Sequence, residues 1–376
     1  MKPAHPAVSI KDVEVVAPNF KRRLSGVTAT IVRLVPIQAR DIGIVSFGWG
    51  LPDFVPKISL FELMRLGYRP TAKGRPRVFH ARRNTEMLFG IILKYVFRHK
   101  LRLLFTSASQ RDHTRYTKFL LRRMDGVVAT SRATKEYLEV PADIIYHGID
   151  LEAFQPPTSR AKIRERLGIS SKHCIGCFGR IRHQKGTDVF VDAMIELLPR
   201  HPDWCALVLG RATMPHFGFR RSLQDRVNAA GLGDRILFPG EIPSHEMSHW
   251  YQALSIYVAP QRWEGFGLTP LEAMACGVPV VATKVGAFPE IIPEGKTGNL
   301  IEPGSVAELI SAADALMGSD TIRNKLAAAC RQHVVDNFDI REEATKLIDI
   351  YRSLADEDGR FFARSLNLAE PGDANG

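Results

Sequence analysis

Two carboxylates spaced eight residues apart, Glu264 and Glu272, flank a Gly-Phe-Gly turn. The helix after this turn is predicted to have Thr269 as N-cap, Pro270 at its first position and Glu272 at its third. The unpaired N–H groups and positive dipole end of such a helix suit an anionic phosphate. The glutamates could then bind hydroxyls on either side of the phosphate, an arrangement that a nucleotide-sugar presents. Alternatively, Glu272 only completes a capping box worth about 1 kcal/mol and Glu264 is a surface carboxylate.

A second segment, residues 178–186 (FGRIRHQKG), places Arg180 and Lys185 on a loop bounded by glycines. Arginine can bind phosphate oxygens with two hydrogen bonds, and lysine supplies a mobile point charge. We expect both cations to face a phosphate rather than a protein carboxylate. The alternative is an ordinary solvated basic loop.

Short apolar runs alternate with helical stretches along the chain, which is typical of an α/β protein with doubly wound parallel sheets. A length of 376 residues suits two domains. We predict a Rossmann-like domain over residues 1–152, a second over 153–340, facing the first across a cleft, and a C-terminal helix with a loosely ordered polar tail over 341–376. Ligands of such sheets sit at the carboxyl ends of strands, and both segments above follow a predicted strand.

Individual elements are predicted from apolar periodicity and turn residues. Strands are predicted over residues 144–149, 256–259 and 280–283, and a helix over residues 306–317.

The positive charge is concentrated in the first half. The formal net charge is +11; residues 1–150 hold 26 Lys and Arg against 12 Asp and Glu, and the remainder holds 25 against 28. This asymmetry indicates an anionic partner of the first half, whether nucleic acid, anionic lipid headgroups or an acidic substrate. The N-terminus has no apolar core of signal-peptide length, and basic residues interrupt the most apolar stretch, residues 87–105. A cytoplasmic location is therefore expected.

The five cysteines are scattered and odd in number, which disfavours a disulfide framework. Cys174 and Cys177 have metal-pair spacing, but no second pair accompanies them and they lie in a predicted strand, where small cysteines pack well. We expect neither zinc nor redox chemistry.

The segment around the glutamates resembles the E-x7-E motif of the retaining family 4 glycosyltransferases, which have the GT-B fold. The glutamate pair, the Gly-Phe-Gly turn, the helix PLEAMA and the strand GVPVVA carry the resemblance. In that family the first glutamate lies beside the donor sugar and the second binds the ribose, so the resemblance assigns these roles to Glu264 and Glu272. It assigns Arg180 and Lys185 to the donor diphosphate.

Other donor-side residues are implied by the same resemblance. The Thr269 end of the helix is expected to bind the distal phosphate, Ile242 to pack near the base, and Gly26 to form the family's glycine turn, here Ser-Gly rather than the commoner Gly-Gly. The predicted donor-binding residues are Glu272, Gly265, Phe266, Gly267, Leu268, Thr269, Gly26 and Ile242.

The acceptor side is less explicit. Many family members carry a histidine where this chain has Ser107, and His113 follows six residues later. His80 is the alternative, and either histidine could be structural. The basic stretches 94–102 and 111–123 interleave cations with apolar residues; they could form ordinary amphipathic helices or hold the domain on an anionic membrane leaflet.

The full pattern looks like the bacterial lipopolysaccharide core mannosyltransferases. That resemblance implies retaining transfer of mannose from GDP-mannose to an anionic lipid-linked acceptor, such as Kdo-lipid A, by an enzyme peripheral to the inner membrane. Arg180, Lys185 and the helix end would stabilise the departing diphosphate, so no metal ion is expected. The alternatives are a soluble glucan or sucrose-type enzyme using UDP- or ADP-glucose, a GT-B nucleotide-sugar epimerase, and a nucleic-acid-binding protein, for which no recognition motif exists.

Overall fold

The computed structural model describes residues 9–356 except 23–25, 69–70 and 73. The chain divides into two compact units: the first combines the chain up to Tyr146 with the residues from Glu343 onward, and the second is His147–Glu342. The predicted polar tail beyond Asp356 lies outside the described residues. Within the described part of the chain, no helix is both long and apolar enough to cross a membrane.

The first unit is built around a seven-stranded parallel sheet. Its strands are β1 Val15–Asn19, β2 Ile44–Gly48, β3 Lys57–Ile58, β4 Arg77–Ala81, β5 Leu101–Ser107, β6 Gly126–Ala129 and β7 Asp143–Ile144. Its helices include α1 Gly26–Gln38, α2 Leu60–Gly67, α3 Asn84–Ile91, α4 Arg115–Leu121 and α5 Arg132–Glu136, and the π-helical turn Ile92–Val96 extends α3. The strand order β3-β2-β1-β4-β5-β6-β7 places a topological switch point between β1 and β4.

The second unit repeats this plan around a six-stranded parallel sheet. Its strands are β8 His173–Phe178, β9 Trp204–Leu209, β10 Ile236–Gly240, β11 Ile256–Ala259, β12 Val280–Thr283 and β13 Gly298–Ile301. Its helices are α6 Arg160–Arg166, α7 Thr187–Leu197, α8 Phe217–Ala229, α9 Met247–Ala253, α10 Leu268–Ala275, α11 Phe288–Ile291, α12 Val306–Met317 and α13 Asp320–Asn337. The order β10-β9-β8-β11-β12-β13 places the switch point between β8 and β11. Both strands are apolar and almost wholly buried, as central strands of a parallel sheet are.

The predicted α/β class with two doubly wound parallel sheets is confirmed. The last helix, α14 Ile340–Asp356, belongs to the first unit from Glu343 onward. Its buried residues recur at helical spacing and include Ala344, Leu347, Ile348, Tyr351 and Leu354.

One strand is shorter than the sequence predicts. Of the predicted strand over residues 144–149, only Ile144 pairs within the first sheet, as the second residue of the short strand β7. Ile149 lies in the second unit and forms an isolated bridge to Asp339. The apolar run was therefore divided between two units.

Candidate active site

The two predicted segments meet at the switch point of the second sheet. Strands β8 and β11 pair in parallel, with Ile175 opposite Ile256. The loop 179–186 leaves the carboxyl end of β8, and the loop 260–267 leaves the carboxyl end of β11. The topology thus brings the cationic loop and the glutamate loop to the place where α/β sheets bind ligands.

Lys185 and Glu264 join these loops through an ion pair between Nζ and Oε2. Their side chains retain 21% and 17% exposure, so the pair is shielded but open to solvent. The second carboxylate oxygen of Glu264 accepts the Gly265 N–H at 3.1 Å. The expectation that Lys185 faces no protein carboxylate is wrong, because a half-buried ammonium is stabilised by a counter-charge and Glu264 supplies it.

Arg180 differs from Lys185. Its residue is exposed, and its side chain has no hydrogen-bond or ion-pair partner among the residues that the structure describes. Its donors can therefore bind an anionic ligand without first breaking an internal contact.

Gly186 closes the cationic loop in the left-handed region, with φ of 67°. A Cβ there would lie 1.8 Å from the carbonyl oxygen of Pro260, in the neighbouring loop. Glycine is required for both reasons, and the close approach sets the spacing between the two loops.

The helix α10 begins two residues earlier than predicted. Gly267 is its N-cap, with φ of 81°, and no side chain caps this end. Thr269 and Pro270 therefore occupy the second and third helical positions, and the predicted capping box with Glu272 is wrong. Proline fits at the third position because its missing N–H would be unpaired in the first turn anyway. The uncapped amides of this turn remain suited to an anion.

Glu272 has a different protein partner from the one predicted. The hydroxyl of Tyr251, from α9, donates to Glu272 Oε2 at 2.8 Å. Tyr251 is fully buried, and burial together with the Glu272 charge raises the pKa of its phenol well above the usual range. Tyr251 therefore stays protonated and fixes one carboxylate oxygen.

The Gly-Phe-Gly turn packs closely against the segment 286–288. A Cβ on Gly267 would lie 2.4 Å from the Phe288 ring, and one on Gly286 would lie 2.5 Å from the Glu264 carbonyl oxygen. The buried Phe266 ring meets the His147 ring edge-on at 5.1 Å. The Phe288 ring and the Glu264 backbone therefore leave no room for a side chain at Gly267 or Gly286.

The remaining residues predicted to bind the donor lie at three places. Leu268 and Thr269 form the half-buried first turn of α10, and Ile242 is half-buried two residues after β10. Gly26 begins α1 in the first unit; its neighbour Ser25 lies outside the described residues.

The residues proposed for the acceptor side lie on β4, at the end of β5 and in the loop after β5. His80 is fully buried on β4, with Nδ1 2.7 Å from the Tyr351 hydroxyl and Nε2 2.7 Å from Thr106 Oγ1. Burial lowers its pKa well below the usual value, which fits a structural histidine. Ser107 is buried, and its hydroxyl accepts the Ser109 N–H at 3.4 Å.

His113 is the half-buried histidine of the loop after β5. Its Nε2 is buried and has no hydrogen-bond partner among the described residues. Burial, followed by the charges of Arg111 and Lys118, lowers its pKa. Of the two histidines predicted for the acceptor side, His113 is the one with a ring nitrogen that has no hydrogen-bond partner among the described residues.

Two arrangements were not predicted. At the switch point of the first sheet, Arg83 donates to Asn19 Oδ1 at 2.9 Å and to Thr28 Oγ1 at 3.0 Å, and pairs with the buried Glu86 at 2.6 Å. At the second switch point, Arg262 donates to both carboxylate oxygens of Asp188 at 2.8 Å. The only available sequence signal was that each arginine follows a strand by two or three residues.

Sequence comparison matches the family described as "Glycosyl transferases group 1" over residues 159–333. The chain is 54% identical over 356 residues to "Lipopolysaccharide core biosynthesis mannosyltransferase LpsB" of Rhizobium meliloti (strain 1021), covering 92% of this chain and 99% of the relative. It is 50% identical to "Lipopolysaccharide core biosynthesis mannosyltransferase LpcC" of Rhizobium leguminosarum bv. viciae, covering 92% and 97%.

Two solved structures are also similar to this chain. The C-terminal domain of a glycosyl transferase group 1 family protein (LpcC) from Francisella tularensis is 41% identical, with a TM-score of 0.50, and covers 51% of this chain and 100% of that domain. Anabaena Alr3699/HepE in complex with UDP has a TM-score of 0.77 over 91% of this chain and 100% of that one. At 18% identity the second likeness concerns the fold alone, and it agrees with the predicted GT-B class.

Proposed function

This chain belongs to the glycosyl transferases group 1 family, and on that premise we propose that it transfers mannose from GDP-mannose to an anionic acceptor in lipopolysaccharide core synthesis. The proposal includes retention at the anomeric carbon and Kdo-lipid A as the first acceptor to test. Its main support is the 54% identity to a lipopolysaccharide core mannosyltransferase over nearly the full length of both chains.

The order of groups at the second switch point supports a nucleotide-sugar donor. Glu264 and Lys185 lie side by side, the uncapped start of α10 follows, and Glu272 lies one turn further on. We assign Glu264 to sugar hydroxyls, Lys185 and Arg180 to the diphosphate, and Glu272 to ribose hydroxyls. Ile242 would pack against the base.

In the proposed reaction the bond between the anomeric carbon and the diphosphate oxygen breaks, and the acceptor oxygen bonds to that carbon on the same face. The acceptor proton passes to the leaving phosphate oxygen. Arg180, Lys185 and the first amides of α10 stabilise the charge that develops on the diphosphate, which is usually the largest catalytic term. No metal ion is needed in this scheme, because protein cations neutralise the leaving group.

A donor screen tests the proposal. Thermal unfolding is measured with GDP, UDP and ADP and with GDP-mannose, UDP-glucose and ADP-glucose, because a ligand that binds only the folded state raises the melting temperature. GDP and GDP-mannose should give the largest shifts, with or without EDTA. Preference for UDP or ADP would support a glucan or sucrose-type enzyme instead, and conversion of the donor without acceptor would support an epimerase.

The acceptor is proposed to lie on a membrane, to which the first unit binds peripherally. The π-helical turn Ile92–Val96 and its continuation expose Tyr95, Val96 and Phe97 at 57, 69 and 42%. Arg98 and Lys100 are exposed just after them. Aromatic side chains beside cations suit the interface of an anionic bilayer.

Only some of the cations in the predicted basic stretch 94–102 are available for such a contact. Lys94 is paired with Asp125 at 2.6 Å and is only 17% exposed, and Arg102 Nε donates to the Leu354 carbonyl at 3.2 Å. Two of the four cations are therefore engaged within the first unit. Arg98 and Lys100 carry the proposed contact.

Vesicle binding tests this contact. An Arg98→Gln, Lys100→Gln variant should bind anionic vesicles more weakly than the wild type, and Phe97→Ser should add to the loss, while donor affinity stays unchanged. The control variant, Lys162→Gln with Lys325→Gln, removes two exposed cations from the second unit and should bind vesicles normally. Equal losses in both charge variants would indicate a net-charge effect and no specific membrane surface.

A further inference from the structure

Arg262 forms four hydrogen bonds to the segment 183–188. Its guanidinium donates to both oxygens of Asp188 at 2.8 Å and to the His183 carbonyl at 2.7 Å. Its backbone N–H donates to the Gln184 carbonyl at 2.9 Å. One residue of the glutamate loop therefore holds the whole turn that carries Lys185.

The arginine–aspartate pair is placed to fix geometry. Its side chains are 27% and 17% exposed. Asp188 lies in the first turn of α7, where the helix dipole favours a carboxylate. Burial acts to raise the pKa of Asp188, but the hydrogen bonds and charge of Arg262 hold it below its usual value. The carboxylate is thus ionised and its planar fork is matched by the guanidinium, a geometry that lysine cannot reproduce.

The pair lies next to the residues assigned to the donor. Lys185 is three residues before Asp188, and Glu264 is two residues after Arg262. The close approach of Gly186 to Pro260 leaves little slack between the loops. A shift of one loop would therefore change the separation between the groups proposed to bind the diphosphate and the sugar.

We propose that Arg262 and Asp188 are positioning residues. They hold the diphosphate-binding loop (residues 179–186) at a fixed separation from the sugar-binding loop (residues 260–267), so that the enzyme gains affinity and turnover from the donor's sugar. This inference rests on the proposed function for the identity of the two loops. It assigns no contact between either residue and the donor.

The first experiment compares a nucleotide with its nucleotide-sugar. The affinities for GDP and GDP-mannose are measured by calorimetry in the wild type, Arg262→Gln, Arg262→Lys and Asp188→Asn, with kcat and KM for transfer. The variants should bind GDP within a few-fold of wild type, lose most of the extra affinity for GDP-mannose, and lose kcat on the order of 10- to 100-fold. Arg262→Lys should show the same losses as Arg262→Gln, although it keeps the positive charge.

The double variant, Arg262→Gln with Asp188→Asn, tests whether the residues act as a pair. Its affinity for GDP-mannose and its kcat should be no lower than those of the poorer single variant, because either substitution already breaks the Arg262–Asp188 pair, the proposed clamp between the loops. The control is Asp192→Asn, which breaks a surface pair with Arg226 in the same unit and should leave binding and kcat unchanged. Losses that multiply in the double variant, or GDP affinity that falls as much as GDP-mannose affinity, would overturn the proposal.

A second measurement does not depend on the donor. Native-state hydrogen exchange should accelerate in both loops, residues 179–186 and 260–267, in Arg262→Gln, while the rest of the second unit and the Asp192→Asn control exchange as in the wild type. Unchanged exchange in either loop would refute the clamp even if the wild-type protein bound no GDP-mannose. If the wild type bound no GDP-mannose but both loops of Arg262→Gln exchanged faster, the clamp would be supported and GDP-mannose would be rejected as the donor.

Discussion

Replacing Glu272 by alanine is expected to have two separable effects, one on donor binding and one on folding. The carboxylate is assigned to the ribose hydroxyls of the donor, and one of its oxygens accepts from the buried Tyr251 hydroxyl at 2.8 Å. Because Glu272 does not cap α10, no loss of capping energy is expected. The stability cost should arise instead from the phenol that is left without its partner.

The magnitudes follow from these contacts. A hydrogen bond to a charged group contributes about 1.5–3 kcal/mol, so loss of the ribose contact should weaken GDP binding roughly 10- to 150-fold. The unpaired Tyr251 hydroxyl should lower the free energy of unfolding by about 1–3 kcal/mol. Adding Tyr251→Phe to Glu272→Ala removes both partners and should recover part of the stability without recovering GDP affinity.

The assay compares GDP with an analogue that lacks both ribose hydroxyls. The wild type should prefer GDP by about the factor above, whereas Glu272→Ala should bind the two nucleotides equally. Unfolding in urea, measured on the same proteins, separates the stability effect, and Glu294→Ala removes an exposed carboxylate of the second unit as a control. If Glu272→Ala still discriminates between the nucleotides like the wild type, Glu272 does not bind the ribose and only supports Tyr251.

Three further predictions test the site and the fold around it. Arg180→Ala should lower turnover on the order of 10²-fold with an unchanged melting temperature, because the side chain has no partner among the described residues. Lys185→Ala should lower both turnover and the melting temperature, and equal melting temperatures in the two variants would contradict this. Gly186→Ala should destabilise the protein by several kcal/mol in urea unfolding, because its Cβ would meet a backbone oxygen at 1.8 Å; Gly231→Ala, with similar φ and open space, should cost only about 1–2 kcal/mol. Burial lowers the pKa of His80 well below 6.5, so between these two pKa values the unfolded chain binds a proton that the folded chain does not. As the pH falls below 6.5, the free energy of unfolding should therefore decrease by up to about 1.4 kcal/mol per pH unit. His80→Asn should reduce that slope, and an unchanged slope would show that His80 is not the group responsible.

Three strongly patterned elements were predictable to the residue. Strands Ile256–Ala259 and Val280–Thr283 and helix Val306–Met317 have the predicted bounds. Each combines an unbroken apolar or 3.6-residue pattern with a clear turn at its ends. The short strand Lys57–Ile58 had no comparable signal, because two residues carry no period and it forms only by pairing with β2.

The start of α10 shows how a local rule can fail. Thr-Pro-x-Glu is a good capping sequence, but Gly267 adopts a positive φ and begins the helix before Thr269. This glycine packs tightly against Phe288, and no side chain caps this end of the helix. A tertiary contact thus overrode the capping preference.

The sequence placed Lys185 and Glu264 at one sheet edge, but it could not predict the pairings that organise the site. Arg262 and Asp188 are 74 residues apart, and Tyr251 and Glu272 are 21 apart. Their pairing depends on the order of β8 and β11 in the sheet and on the rotation of α9 and α10. Residue types and spacing along the chain contain neither quantity.

These pairings also determine how the two halves of the protein respond to salt. Residues 151–376 hold 25 Lys and Arg against 28 Asp and Glu, and the site cations Lys185 and Arg262 are each balanced by a carboxylate. Apart from the exposed Arg180, the groups assigned to the donor should therefore act through short, oriented, partly shielded contacts, which salt screens little. Membrane binding by the first unit would instead depend on exposed cations, whose attraction falls beyond about 8–10 Å at physiological ionic strength. Raising the salt concentration should therefore release the protein from anionic vesicles well before it weakens GDP binding, and a parallel loss of both would contradict this division of roles.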